Sequence, residues 1–133
     1  MPEPRDRIRL LAATLVMLMM AAGAQASTPA TTWEPYGESE NAVHYYDTVS
    51  VRVEGSRRRV WRLFDLRARA ENGVQSGMAL VEIDCRESAF RYLRTIYFDG
   101  PKGHGKYLGG ASDLQFDPIG PGSMIGQLAR RLC

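Results

Sequence analysis

The sequence predicts an α+β fold: a single antiparallel β-sheet of about five to six strands, with a short C-terminal helix disulfide-tethered to one face. Three observations point there. From Trp33 onward most of the chain alternates apolar and polar residues with period two, the signature of half-buried strands. The last segment switches to a helical period. The only two cysteines are Cys85, inside the clearest alternating run, and Cys133, at the end of the helical one.

Composition sets the outer bounds. A chain of 133 residues is one small domain, too short for an enzyme with a separate cofactor lobe. With 44% hydrophobic residues and a net charge of +2, the chain has enough apolar material to order itself. Seventeen basic residues against fifteen acidic ones leave no excess field for a nucleic acid, and none is expected as a partner.

Residues 1–26 have the organisation of a secretory signal peptide. Arg5, Arg7 and Arg9 form the basic region, Leu10 to Ala22 the apolar region, and Ala24-Gln25-Ala26 the small-x-small cleavage signal. Cleavage after Ala26 would leave Ser27 as the first residue. A membrane anchor needs about 20 apolar residues, and this run is shorter. No cysteine follows the apolar stretch, so no lipid-attachment site is visible, and no stable membrane anchor is expected once the leader is removed. Export to an oxidising compartment favours a disulfide between Cys85 and Cys133. For a loop of about 49 residues the chain-entropy model gives roughly 4 kcal/mol as an upper figure. A reactive or metal-binding thiol pair would need close Cys-x-x-Cys spacing or histidines nearby, and has neither.

The elements follow in order. Residues 27–32 form a polar, flexible tail. Trp33 to Tyr36 reads as a short edge strand, since Pro35 cannot donate to a ladder. Val43 to Asp47 is aromatic-rich and β-favouring. Val49, Val51 and Val53 alternate with Ser50, Arg52 and Glu54, and Gly55-Ser56 turns this run into Arg57 to Leu66 as a hairpin. After a polar break at Ala68 to Gly77, Ala79, Val81, Ile83 and Cys85 occupy one face of a strand, with Leu80, Glu82 and Asp84 on the other. Arg86-Glu87-Ser88 turns into the aromatic strand Ala89 to Phe98. Asp99 to Asp113 is glycine-rich and reads as a long loop, and Leu114 to Ile119 as a last short strand. Pro121-Gly122-Ser123 is a helix-start signal with Ser123 as N-cap. Ile125, Leu128, Ala129 and Leu132 then share one helical face. So short a helix cannot stand alone in water and must dock. The apolar sheet face that carries Cys85 is the surface within reach of Cys133.

Candidate chemistry is sparse. Gly100-Pro101-Lys102-Gly103-His104-Gly105-Lys106 has the glycine and lysine spacing of a phosphate-binding loop. Tyr107 stands where that loop needs Ser or Thr, and Leu108-Gly109-Gly110 is no helix start. The reading is a glycine-rich surface loop. Ser123 lacks the G-x-S-x-G spacing of a nucleophile elbow. His44 and His104 are the only histidines and make a metal site only if the fold brings them together. Glu82 and Asp84 share a strand face and read as solvated carboxylates. No catalytic residue, metal or cofactor is expected. The basic run Arg57-Arg58-Arg59 is split by alternation, Arg57 and Arg59 on one face and Arg58 with Arg62 on the other. It reads as a solvated hairpin, with an acidic polymer or an acidic protein surface as the alternative partner. Arg57, Arg58, Arg59, Lys102, His104 and Lys106 are the candidate binding residues.

These landmarks together resemble a known family. Trp33 with Gly37-Glu38-Ser39 opens the pattern, followed by Tyr45-Tyr46-Asp47-Thr48-Val49-Ser50-Val51-Arg52 and Gly55. Val60-Trp61-Arg62-Leu63, Glu82-Ile83-Asp84-Cys85 and the stretch from Pro121-Gly122-Ser123 to Leu132-Cys133 complete it. Their order and spacing over 33–133 resemble the surface-adhesin protein E-like family, small exported proteins of Gram-negative bacteria. The resemblance implies an antiparallel sheet with a C-terminal helix held by a disulfide at Cys85 and Cys133. It also implies a non-enzymatic binding role, attachment to host matrix and serum proteins, with a homodimer as a further expectation. The family's namesake is lipid-anchored at the cell surface, whereas this leader carries no lipidation cysteine. The expectation is therefore an exported, adhesin-like protein whose ligand is a host or envelope protein. A soluble periplasmic accessory or structural protein is the alternative.

Overall fold

Among the described residues, seven strands and one α-helix realise the pattern. The structure, a computed structural model, describes residues 32–133. The leader, its cleavage after Ala26 and the tail before Thr32 lie outside the described residues. In chain order the elements are β1 (Trp33–Glu38), β2 (Ala42–Asp47), β3 (Arg52–Glu54), β4 (Arg57–Leu66), β5 (Ser76–Asp84), β6 (Ala89–Phe98), β7 (Tyr107–Pro118) and α1 (Met124–Leu132). A 3-10 turn at Pro101–Gly103 precedes β7. All strand pairs are antiparallel, in the order β1-β2-β4-β5-β6-β7, with β3 also paired to β4. Strands β2 and β3 lie end to end along one side of β4, opposite Arg62–Leu66 and Arg57–Arg59 respectively. The sheet is therefore six positions across.

Alternation decides the two faces. On β4 and β5 the pairs Val60↔Val81 and Arg58↔Ile83 face one way, and Arg59↔Glu82 and Leu63↔Met78 face the other. The first face holds the core: Tyr36, Val60, Val81 and Ile83 pack against Ile125 and Leu128 of α1, with Ala129 and Leu132 beside them. The helical stripe read from the sequence is thus the docking stripe. Ser123 caps the helix, its hydroxyl accepting from Gly126 N–H at 3.1 Å. Close approach needs Gly37 on β1, where a Cβ would stand 2.9 Å from both Met124 and Gln127 side chains. The Cys85–Cys133 disulfide closes the far end of the helix onto the sheet, with Cα atoms 5.7 Å apart. Buried apolar contacts and a covalent bond together hold a helix too short to persist alone.

Two segments differ from the sequence reading. The run from Val49 to Glu54 is strand only at Arg52–Glu54. Asp47 interrupts it: its carboxylate accepts Val49 N–H at 3.1 Å, and its carbonyl accepts the Ser50 hydroxyl at 2.9 Å. Such local side-chain bonds compete with a ladder. The Ser50 hydroxyl in turn accepts Trp61 N–H at 3.0 Å, filling the gap left beside β4. The second difference is larger. Residues from Tyr107 onward, expected to belong to a loop reaching Asp113, are the first half of the twelve-residue strand β7. β7 is an edge strand, so its exposed residues need no apolar alternation, and the glycines hide it. Gly109 takes φ +126°, and Gly110 leaves room against Thr95, where a Cβ would lie 2.7 Å from the carbonyl.

Candidate functional site

Charge is distributed unevenly over the two faces. On the face away from the helix, Glu82 is only 3% exposed and is not a solvated carboxylate. Register places it opposite Arg59 on β4 and Arg91 on β6. Arg59 Nη2 lies 2.8 Å from Glu82 Oε2, Arg91 Nη2 2.7 Å from Oε1, and Arg57 Nη1 3.4 Å from Oε1. Phe116 of β7 roofs the cluster, with the guanidinium carbons of Arg57 and Arg91 at 5.2 and 4.5 Å from its ring centre. Burial works against ionisation of Glu82, but the hydrogen bonds and charges of Arg59 and Arg91 outweigh it and hold its pKa below the usual value. The sequence reading missed this because a polar strand face looks wet until its cover is known; here arginines and Phe116 supply the cover. Asp84 has a different task. Its carboxylate accepts the N–H groups of Arg86 and Glu87, each at 3.1 Å, and shapes the β5–β6 turn.

The second basic group stands at the other end of β4. Ser76, fully buried, donates to the Gly100 carbonyl at 2.6 Å and accepts Gly103 N–H at 2.8 Å. Asp65 accepts Lys102 N–H at 2.9 Å, and Asp99 accepts Lys106 N–H at 2.6 Å. The loop carrying Lys102, His104 and Lys106 is therefore braced, and all three side chains are exposed. Strand β7 follows Lys106 directly, so the helix required after a phosphate-binding lysine is replaced by an edge strand. The six candidate binding residues do not form one patch. Arg57 and Arg59 belong to the Glu82 cluster, Lys102, His104 and Lys106 to the braced loop, and β7 runs from the loop to the cluster.

Arg58 and Arg62 turn to the helix face, as alternation requires. Arg58 Nε donates to the Leu132 carbonyl at 2.9 Å, a cation satisfying the C-terminal end of α1. Arg62 lines a cleft of about 400 Å³ with His44, Phe90, Tyr92, Pro118, Gly120, Ser123, Met124 and Ile125. Its Nη1 donates to the Tyr36 hydroxyl at 3.2 Å and lies 3.5 Å from His44 Nδ1. The Tyr92 ring centre is 5.1 Å from its guanidinium carbon. Burial, and then the Arg62 charge, push the His44 pKa down, so the imidazole is neutral at pH 7. Burial raises the Tyr92 pKa. His104, in contrast, sits in the braced loop; among the described residues no group of three or more His, Cys, Asp or Glu could hold a metal ion. The signal for the cleft was present in the sequence: Arg62 falls in the same phase as Val60, a charge on the apolar face.

What fold and site define is a class of small sheet proteins: one antiparallel sheet, one disulfide-held helix, and charged clusters on surfaces. The family follows from the sequence match. Residues 33–133 match the family model of surface-adhesin protein E, and the chain belongs to that family. In fold it is similar to Haemophilus influenzae protein E. A second crystal form of that protein superposes with a TM-score of 0.52 at 14% identity, covering 78% of this chain and 95% of the other. The selenomethionine form gives a TM-score of 0.51 at 13% identity, covering 77% and 93%. At that identity the likeness concerns fold alone. No curated protein matches by sequence.

Proposed function

We propose that this chain is an exported, non-enzymatic binding protein that attaches to a host or other extracellular protein. Family membership supports the adhesin-like character. The leader read at residues 1–26 supports export. Among the described residues no helix is long and apolar enough to cross a membrane.

The structural observation that carries the reading is β7. It is a twelve-residue edge strand with Tyr107 56% and Leu114 63% exposed, and Leu108 also open. An exposed edge offers unpaired backbone donors and acceptors, to which a partner's extended segment can add as a further strand. Lys102 and Lys106 precede this edge, and Arg57 and Arg91 flank Phe116 near its end. An acidic, extended segment of a protein ligand matches both features.

The test is binding of the purified, oxidised protein to immobilised serum and extracellular-matrix proteins. Saturable capture that weakens in Leu114→Asp and in the double variant Lys102→Glu/Lys106→Glu is the expected result. Capture that neither variant weakens would remove β7 from the binding role. No capture at all would favour the periplasmic accessory reading.

A further inference from the structure

The cleft beside the helix start has features that surface adhesion does not use. We propose that it binds a small monocarboxylate carried on an apolar group, with Arg62 as the carboxylate-binding side chain. The inference goes beyond the adhesin reading and does not rest on it.

Arg62 is a cation with no counter-ion among the described residues, whereas Arg57, Arg59, Arg67, Arg91 and Arg131 all have acidic partners. Its Nε is buried and has no hydrogen-bond partner among the described residues. An unpaired donor so placed is costly, and because this nitrogen is closed off, a ligand in the cleft would meet the guanidinium through its Nη groups. The side chain is also fixed in place, held by the Tyr36 hydroxyl at 3.2 Å and set against the Tyr92 ring at 5.1 Å. A guanidinium held in one orientation presents a planar fork that matches a carboxylate.

The rest of the cleft selects the ligand's body and charge. Phe90, Tyr92, Pro118, Met124 and Ile125 give it apolar walls, and about 400 Å³ is within the range of small-molecule sites. Ser123 and Met124 bring the N-terminal end of α1 to the same cleft, which favours an anion there. Arg62 is the only residue with a full charge in the lining, because His44 is neutral. One positive charge matches a monoanion and leaves a phosphate dianion undercompensated.

The experiment uses 3-phenylpropionate as probe, with the neutral 3-phenylpropionamide and inorganic phosphate beside it. Binding is followed by NMR on the isotope-labelled, oxidised protein. Saturable shifts at His44, Tyr92, Met124 and Ile125 are expected with the acid, with a dissociation constant on the order of a millimolar. The neutral amide is expected to bind weaker by about tenfold or more, and Arg62→Gln to weaken the acid by a similar factor. Arg62→Lys should recover part of the loss, since charge is restored without the fork. The acid-against-amide comparison uses the unaltered protein, so it stands even where Arg62→Gln fails to fold. Equal binding of acid and amide would reduce the cleft to an apolar crevice. Phosphate binding tighter than the acid, or no shift at the cleft residues, would overturn the assignment.

Discussion

Glu82, buried, and His44, half-buried, are titratable groups on opposite faces of the sheet, and both make stability fall with acid. The folded pKa of Glu82 lies below its ordinary 4.5, so as pH falls the unfolded chain takes up that proton first. Its contribution is complete above about pH 4.5 and is lost as pH drops through the folded value. Removing the acid costs less than burying an unpaired one, because Arg57 and Arg59, 46% and 47% exposed, can turn to water. Glu82→Gln should therefore lower unfolding free energy by about 1–3 kcal/mol at pH 7 and flatten the acid limb of the stability curve. Urea denaturation across pH checks both. His44 shows the same sign at a higher pH. Its folded pKa is depressed from 6.5, so stability is full above that pH and declines below it as the unfolded chain charges first. His44→Gln should remove that slope. An unchanged slope would place its origin elsewhere. Neither effect was legible in the residues alone: alternation assigned Glu82 to its face, and cross-strand neighbours on β4, β6 and β7 supply the side chains that bury it.

At the scale of elements, α1 was the most legible and β7 the least. The helix announces itself three times, by the Ser123 cap, by the spacing of Ile125, Leu128 and Leu132, and by Cys133, and each signal corresponds to a contact in the fold. Replacing Cys85 with Ser should cost about 2–4 kcal/mol and speed amide exchange throughout residues 124–132. Exchange that stays protected there would show that packing alone holds the helix. Ser123→Ala should cost about 1 kcal/mol, read from denaturant midpoints, as an N–H of the first turn loses its acceptor. Gly37→Val is expected to push α1 outward, since its side chain meets Met124 and Gln127. Strand β7 lacked such signals because it pairs on one side only and packs few side chains. Its glycines satisfy backbone geometry, and a glycine-rich edge strand has the same composition as a loop.

For the molecule as a whole, one sheet separates the two proposed sites. The helix face stores the apolar core and the Arg62 cleft, while the opposite face and the β7 edge present charge and exposed aromatic and aliphatic side chains. The architecture and the disulfide were legible because small sheets need a covered face and a lone cysteine pair behind an export-type leader sequence has few other expected uses. The division of the arginines was legible from parity, but their partners were not, because cross-strand register decides them. The adhesin reading requires the protein to reach the cell exterior, and protease shaving of intact cells tests this most directly. Release of fragments from residues 33–133 by protease added to intact cells is the expected result. Protection until the outer membrane is opened would contradict it, confining the protein to the periplasm and leaving adhesion as the ancestry of the fold.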